Sequence, residues 1–243
     1  MTVWDRDEAR ELVALRYGKT QAELAYQSMN STIDRQEYAR YHYRNAKSLF
    51  ETCVGKFDSP VNRLKISTGG NEDARDEFNQ CIWEIGAHVT ACVQSLHAMG
   101  DIFAHAIYYA LGYKLKQPPP LLERKICLYA VRRELNRTPE HQNLAQELNL
   151  LASGDDFAYL GALSNHSKHR SLVRSWLWVD LTDKKLDTYT LEFQEFIYDE
   201  RPYSRRLVLP FLQSEFDRQS LRIFEIGNVL NSVLKGDSSR EQS

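Results

Sequence analysis

Two histidines and a carboxylate recur at intervals of four residues in one stretch of the sequence. His97, Asp101 and His105 stand at positions i, i+4 and i+8, so on a helix they share one strip because successive residues turn by about 100°. Imidazole and carboxylate groups on adjacent turns can share a metal ion, or the carboxylate can orient a histidine that transfers a proton. These residues are catalytic candidates; the structural alternative is a hydrogen-bonded polar seam where helices meet.

A second polar cluster, with the sequence NHSKHR, spans residues 165–170 late in a predicted helix. Basic side chains near a helix C-terminus interact favourably with the helix dipole, which is a sufficient structural reason for them. The functional interpretation is a site for an anion or phosphodiester, where Arg170 binds a phosphate and His169 or His166 transfers a proton. The candidates are His169 for catalysis and Asn165, His166, Lys168 and Arg170 for ligand binding.

A third feature is a helix that carries basic residues around an aromatic side chain. Lys125, Arg132 and Arg133 lie near Tyr129 in the sequence, and such a face could follow a phosphate backbone. Two glutamates in the same stretch dilute the positive charge, so we interpret this face as solvated surface.

Predicted helices position most of these residues. Apolar residues recur at helical spacing from Phe78 to Ile107, after an Asn71 cap and before Gly112, which predicts a helix of about 40 residues. A short N-terminal helix contains Ala9. The remaining helices are predicted over residues 21–53, 121–135, 138–153, 155–172 and 214–235.

Between the last two helices the composition changes to β-branched and aromatic residues. Residues 173–182 and 188–198 alternate with a period of two around a turn at residues 183–185, which predicts a hairpin. A third short strand is predicted at residues 205–210, after a turn at residues 202–204. The aromatic residues of the hairpin are interpreted as core or dimer contacts rather than a base-stacking platform: Trp176, Trp178, Tyr189, Phe193, Phe196 and Tyr198.

A ribbon of this size is too small to fold alone, so we predict one mainly α domain over residues 1–235. The domain is a helical bundle with a long central helix. A small antiparallel β-ribbon, at about residues 173–210, is inserted before the last helix. Residues 236–243 are predicted to form a flexible polar tail.

The stretch Asn165-x-x-Lys168-His169-Arg170, which closes a helix directly before the strands, resembles HEPN-type helical domains and related uncharacterised bacterial proteins. The segment LHAMGDIFAHAIYYALG of the long helix is similar in character to the first core helix of that group. The resemblance covers about residues 71–235. It implies a metal-independent RNase or RNA-binding module of toxin–antitoxin or phage-defence systems, acting as a dimer in which an Arg and a His meet across the interface.

The chain departs from the family pattern at that Arg–His pair. No Arg precedes His166 or His169 at the family's spacing of four to six residues. Arg35 and His42 have this spacing in an early helix, with Gln36 where Asn or Asp is common, and we interpret the match as a coincidence. The resemblance therefore leaves open whether the chain is an enzyme.

Charge and cysteine content limit the function classes. The chain of 243 residues has 31 Lys and Arg against 33 Asp and Glu, which excludes a globally basic nucleic-acid binder and leaves a local basic patch open. Four cysteines without metal-site spacing indicate free thiols in a reducing compartment, which predicts a cytoplasmic protein. No apolar run of about 18 residues and no apolar N-terminal segment occur, so neither a membrane span nor a secretory signal is predicted.

The sequence lacks four common enzyme motifs: G-x-x-x-x-G-K-[ST], G-x-G-x-x-G, G-x-S-x-G and H-E-x-x-H. Their absence disfavours P-loop ATP hydrolysis, Rossmann dehydrogenation, serine-hydrolase chemistry and zincin proteolysis, and we predict no cofactor. We predict a HEPN-like homodimer that recognises RNA or a nucleotide phosphate in defence or stress. The alternatives are a non-catalytic dimeric interaction module and, less favoured, a metal-dependent enzyme that uses His97, Asp101 and His105.

Overall fold

The computed structural model describes residues 3–57, 72–179 and 189–240, and helices dominate these residues. Two of the helices, α2 and α3, are each 39 residues long. The described helices are α1 (Arg6–Tyr17), α2 (Lys19–Phe57), α3 (Glu72–Ala110), α4 (Leu128–Asn136), α5 (Gln142–Leu151), α6 (Asp155–His169) and α7 (Val208–Arg240). The described strands are β1 (Ser175–Val179), β2 (Tyr189–Phe193), β3 (Phe196–Tyr198), β4 (Arg201–Tyr203) and β5 (Arg206–Leu207).

The antiparallel strands lie between α6 and the last helix, so the predicted fold class is confirmed. β1, β2 and β5 form one antiparallel sheet in that order, and β3 pairs with β4 in a separate hairpin. None of the helices in the described residues combines the length and the apolar character needed to cross a lipid bilayer.

The chain divides into two compact units. The first unit comprises Met1–Glu37, Leu96–Ala158 and Phe216–Ser243, and the second unit comprises Tyr38–Ser95 and Tyr159–Glu215. Four helices, α2, α3, α6 and α7, contribute residues to both units. The single domain expected over residues 1–235 stays a prediction.

In the first unit, the indole of Trp4 holds the N-terminus against α7. Trp4 is buried, contacts Phe103 edge-on at 5.5 Å between ring centroids and donates from Nε1 to Asn231 Oδ1 at 3.2 Å. A Cβ atom at Gly227 would lie 2.2 Å from the Trp4 ring. The close approach of the indole to α7 therefore requires glycine at this position.

In the second unit, Tyr159 of α6 is the centre of an aromatic core. Its buried ring contacts Phe193 and Phe196 of the strands and Phe211 of α7. The guanidinium of Arg206 lies 4.4 Å above the same ring. Burial raises the pKa of Tyr159 to about 12, so the phenol is neutral at physiological pH.

The predicted boundary between the last strand and the last helix is wrong. The third strand, predicted over residues 205–210, contains only Arg206 and Leu207, and α7 begins at Val208 instead of Ser214. Val208, Phe211 and Leu212 are buried at helical spacing, and the proline at residue 210 is tolerated because a first-turn N–H needs no partner within the helix.

The predicted turn at residues 202–204 is also wrong, because Pro202 and Tyr203 lie in β4. The chain reverses instead at Asp199 and Glu200, both of which have positive φ. The turn predicted at residues 183–185 lies outside the described residues. At the C-terminus, α7 continues to Arg240, past Gly236 where the polar tail was predicted to start.

Candidate functional site

Asp101 connects α3 with the start of α4 in the first unit. Its Oδ1 accepts a hydrogen bond of 2.9 Å from the backbone N–H of Leu128, the first residue of α4. The residue at the N-cap of α4, Cys127, makes no capping hydrogen bond with its own side chain. Because the first N–H groups of a helix have no partner within it, Asp101 supplies the cap from a neighbouring helix.

His105 and Tyr109 continue the same strip of α3 and contact the same connecting segment. The His105 ring hydrogen bonds to the backbone of Ile126, and burial lowers its pKa although Asp101 and Glu123 oppose the shift. Tyr109 donates from its hydroxyl to Glu123 Oε1 at 3.0 Å, and burial together with this carboxylate raises its pKa to about 12. The strip therefore holds the segment before α4 in place.

His97 lies one turn before Asp101 on α3 and is half-buried. In the described part of the chain, no group of three or more His, Cys, Asp or Glu side chains is placed to hold a metal ion. His97, Asp101 and His105 consequently form no metal centre in this structure, and the contacts of Asp101 and His105 are those of a polar seam.

The cluster at residues 165–170 lies in the second unit, at the end of α6. His166 closes this helix: its carbonyl oxygen accepts from the N–H of Arg170 at 2.9 Å and of Ser171 at 3.2 Å. The ring nitrogen Nδ1 is 2.8 Å from the Ser171 carbonyl oxygen, so Nδ1 carries the proton and donates it. His166 is thereby positioned as a helix-ending residue, with Nε2 left for other contacts.

The other predicted ligand-binding residues at this helix end differ in exposure. Lys168, His169 and Arg170 are exposed, whereas Asn165 is half-buried. The guanidinium of Arg170 lies 5.6 Å from the centroid of the Tyr198 ring in the neighbouring hairpin. The structure thus places Arg170 beside an aromatic ring, directly after the exposed Lys168 and His169 in the chain.

The sequence interpretation missed the exposed face of the sheet in the same unit. Trp176 and Trp178 are 45% and 39% exposed, and the Arg205 guanidinium lies 4.3 Å from the centroid of the Trp178 ring. Two other hairpin aromatics, Phe193 and Phe196, are buried as expected. We refer to Trp176, Trp178 and Arg205 as the tryptophan face.

Strand alternation explains why these indoles are outside the core. Ser175 pairs with Phe193 and Leu177 pairs with Leu191 on the inner face, where both residues of β2 are buried. The residues between them must point to the opposite face because successive side chains in a strand alternate. The pattern W-x-W in the sequence indicates that the two indoles share one face of a strand, but only the pairing with β2 shows which face is buried.

In the first unit, two of the basic side chains in and after α4 share one carboxylate. Arg133 and Arg137 both contact Glu134, at 3.6 and 2.9 Å, and Lys125 and Tyr129 are exposed. This arrangement is that of the solvated surface favoured by the sequence.

Comparison with known proteins adds no family assignment. No protein-family model, curated protein or solved structure matches the chain. The resemblance to HEPN-type domains stays a prediction, and function is argued below from the described side chains.

Proposed function

We propose that the chain recognises single-stranded RNA or a nucleotide, with bases stacking on the tryptophan face and phosphates bound by exposed cations of the second unit. The observation that carries this proposal is the exposed indole of Trp178, with the Arg205 guanidinium 4.3 Å from its ring and Trp176 on the same strand face. The resemblance to HEPN-type domains supports a role in defence or stress.

Exposed tryptophan is well suited to this ligand. Stacking of a base on an aromatic side chain contributes about 1–3 kcal/mol and tolerates any sequence, since every base has a π-face. Trp176 and Trp178 are two residues apart on one strand, so their rings lie on the same side of the sheet. A guanidinium above one ring adds a cation that can contact the adjoining phosphate.

The segment that leads into the sheet is basic, although Glu192 stands opposite Trp176 on the exposed face. Residues 165–179 contain Lys168, Arg170 and Arg174 and no Asp or Glu, and all three cations are exposed. Protein cations that replace counterions on a phosphate backbone make binding strongly salt-dependent. The chain as a whole is nearly neutral, so the proposal concerns a local site.

A protein-interaction module is the second candidate function, and one observation favours it. Leu207 of β5 is 46% exposed and is aligned across β2 with Trp176, through Glu192. Apolar side chains on an exposed sheet face are also what a second copy of the chain would bury. In that case the tryptophan face would be a dimer interface.

The test is fluorescence anisotropy with a labelled single-stranded RNA of roughly 12 nucleotides, at about 0.1 M salt. We expect wild-type binding to weaken about tenfold in Trp178→Ala and in Arg205→Ala, and to remain unchanged in Tyr129→Ala, which removes an exposed aromatic ring from α4. Light scattering on the same samples gives the oligomeric state. A Trp178→Ala variant that turns a dimer into a monomer, in a protein that binds no RNA, would establish the second candidate instead.

A further inference from the structure

A pair of histidines connects α2 and α3 in the second unit, and one of them is the His42 that was matched with Arg35 in the sequence. Nδ1 of His42 lies 2.9 Å from Nδ1 of His88, and the ring centroids are 5.2 Å apart. The edge of the Tyr41 ring system approaches both imidazoles, at 5.2 and 6.3 Å between centroids. At this distance one Nδ1 donates its hydrogen to the other, so the two imidazoles are held together by an N–H···N hydrogen bond.

We propose that His42 and His88 form a binding site for a divalent transition-metal ion of the zinc class, which both Nδ1 atoms coordinate in place of their hydrogen bond while the hydrogen of the donor ring moves to its Nε2. Zinc binds imidazole nitrogen at about 2.0–2.1 Å with tetrahedral angles. This geometry separates two nitrogen ligands by about 3.3 Å, so the observed distance of 2.9 Å has to widen by only about 0.4 Å. Small rotations of the two rings accommodate such a change without movement of the helices.

The environment of the pair suits an ion with an incomplete protein shell. Both histidines are half-buried, so solvent can supply the remaining ligands. Among the described residues there is no third His, Cys, Asp or Glu placed to complete a metal cluster. Two protein ligands are one fewer than in a catalytic zinc site, so we expect the ion to keep water ligands and to exchange readily.

The protonation state of His42 suits coordination of a metal. Burial, followed by the proximity of His88, lowers the pKa of His42. Imidazole must be neutral to coordinate a metal, and His42 is neutral at physiological pH.

The proposal is tested by calorimetric titration of the full chain, without a polyhistidine tag, with zinc chloride at about pH 7.5. We expect one zinc ion per chain. Loss of a second-shell partner alone costs about 10- to 100-fold in metal affinity, so we expect at least a tenfold weakening in His42→Asn and in His88→Asn. Asparagine keeps a polar atom near the position of Nδ1. His169→Asn, which changes an exposed histidine, is the matched control and should bind as the wild type does.

A measurement on the wild type alone covers the case in which a variant fails to fold. The chain contains seven histidines, and zinc should shift the ring proton NMR signals of two of them. No zinc binding by the wild type, or equal shifts of all histidine signals, would overturn the proposal. Wild-type affinity in both asparagine variants would overturn it as well.

Discussion

Asp101 accepts a hydrogen bond from the first N–H of α4, so its substitution should change the stability of the protein. We expect Asp101→Ala to lower the free energy of unfolding by about 1 kcal/mol, as loss of a helix cap does, because the N–H of Leu128 loses its partner. Asp101→Asn keeps an acceptor oxygen and should lose less. Urea denaturation measures both. A stable Asp101→Ala variant that lacks RNA binding would instead assign Asp101 to the ligand site.

Two glycines of α7 should respond in opposite directions to the same substitution. A Cβ atom at Gly227 would overlap the Trp4 ring, whereas a Cβ atom at Gly236 would lie in open space. We expect Gly227→Ala to destabilise the protein by about 1–3 kcal/mol and Gly236→Ala to stabilise it by up to about 1 kcal/mol. Thermal unfolding of the two variants checks this; equal melting temperatures would contradict the close contact between Trp4 and α7.

The buried imidazole of His105 should make stability depend on pH. Burial lowers its pKa from the ordinary value of 6.5, so below about pH 6.5 the unfolded chain binds more protons at this residue than the folded chain. The stability contribution is therefore present above pH 6.5 and is lost as the pH falls from there toward the folded-state pKa. We expect His105→Gln to lose less stability than wild type between about pH 7 and pH 5, measured by urea denaturation. Parallel losses in both proteins would contradict the shift.

At the scale of secondary structure elements, we expect the end of α6 to contribute positive charge to RNA binding and no preference for a particular RNA sequence. Lys168, His169 and Arg170 are exposed there, and Arg170 stands beside Tyr198. If Arg170 contacts a phosphate, Arg170→Ala should weaken binding of every RNA sequence alike and reduce the slope of log affinity against log salt by about 1. Anisotropy titrations at several salt concentrations give the slope, and an unchanged slope would remove Arg170 from the site.

The long helices were predictable from the sequence because they repeat apolar residues at helical spacing over many turns, whereas the helix predicted over residues 121–135 begins only at Leu128, after a short turn of 3-10 helix at Glu123–Lys125. The long α3 was expected between Asn71 and Gly112 and is observed over Glu72–Ala110. The short elements were not predictable to the same degree. The reversal at Asp199 and Glu200 uses positive φ without glycine, which local turn chemistry does not indicate. The start of α7 depends on burial of Val208 against other elements.

For the whole molecule, the candidate residues could be named from their types, but their roles depend on contacts distant in sequence. Asp101 caps a helix that begins 27 residues later, and His42 meets His88 across 46 residues. Neither contact is encoded in a local pattern. Strand alternation likewise predicts that Trp176 and Trp178 point to the same side of β1. That this side is the exposed one follows only from the pairing with β2, whose buried residues lie on the opposite side.

The most informative measurement is photo-cross-linking of the full chain to single-stranded RNA that contains 4-thiouridine, followed by identification of the cross-linked peptide. We expect the peptide to contain Trp176 and Trp178 or Arg205, since the bases stack on the tryptophan face in the proposed complex. Cross-links confined to the basic helix α4, or none at saturating RNA, would contradict recognition of RNA by this face.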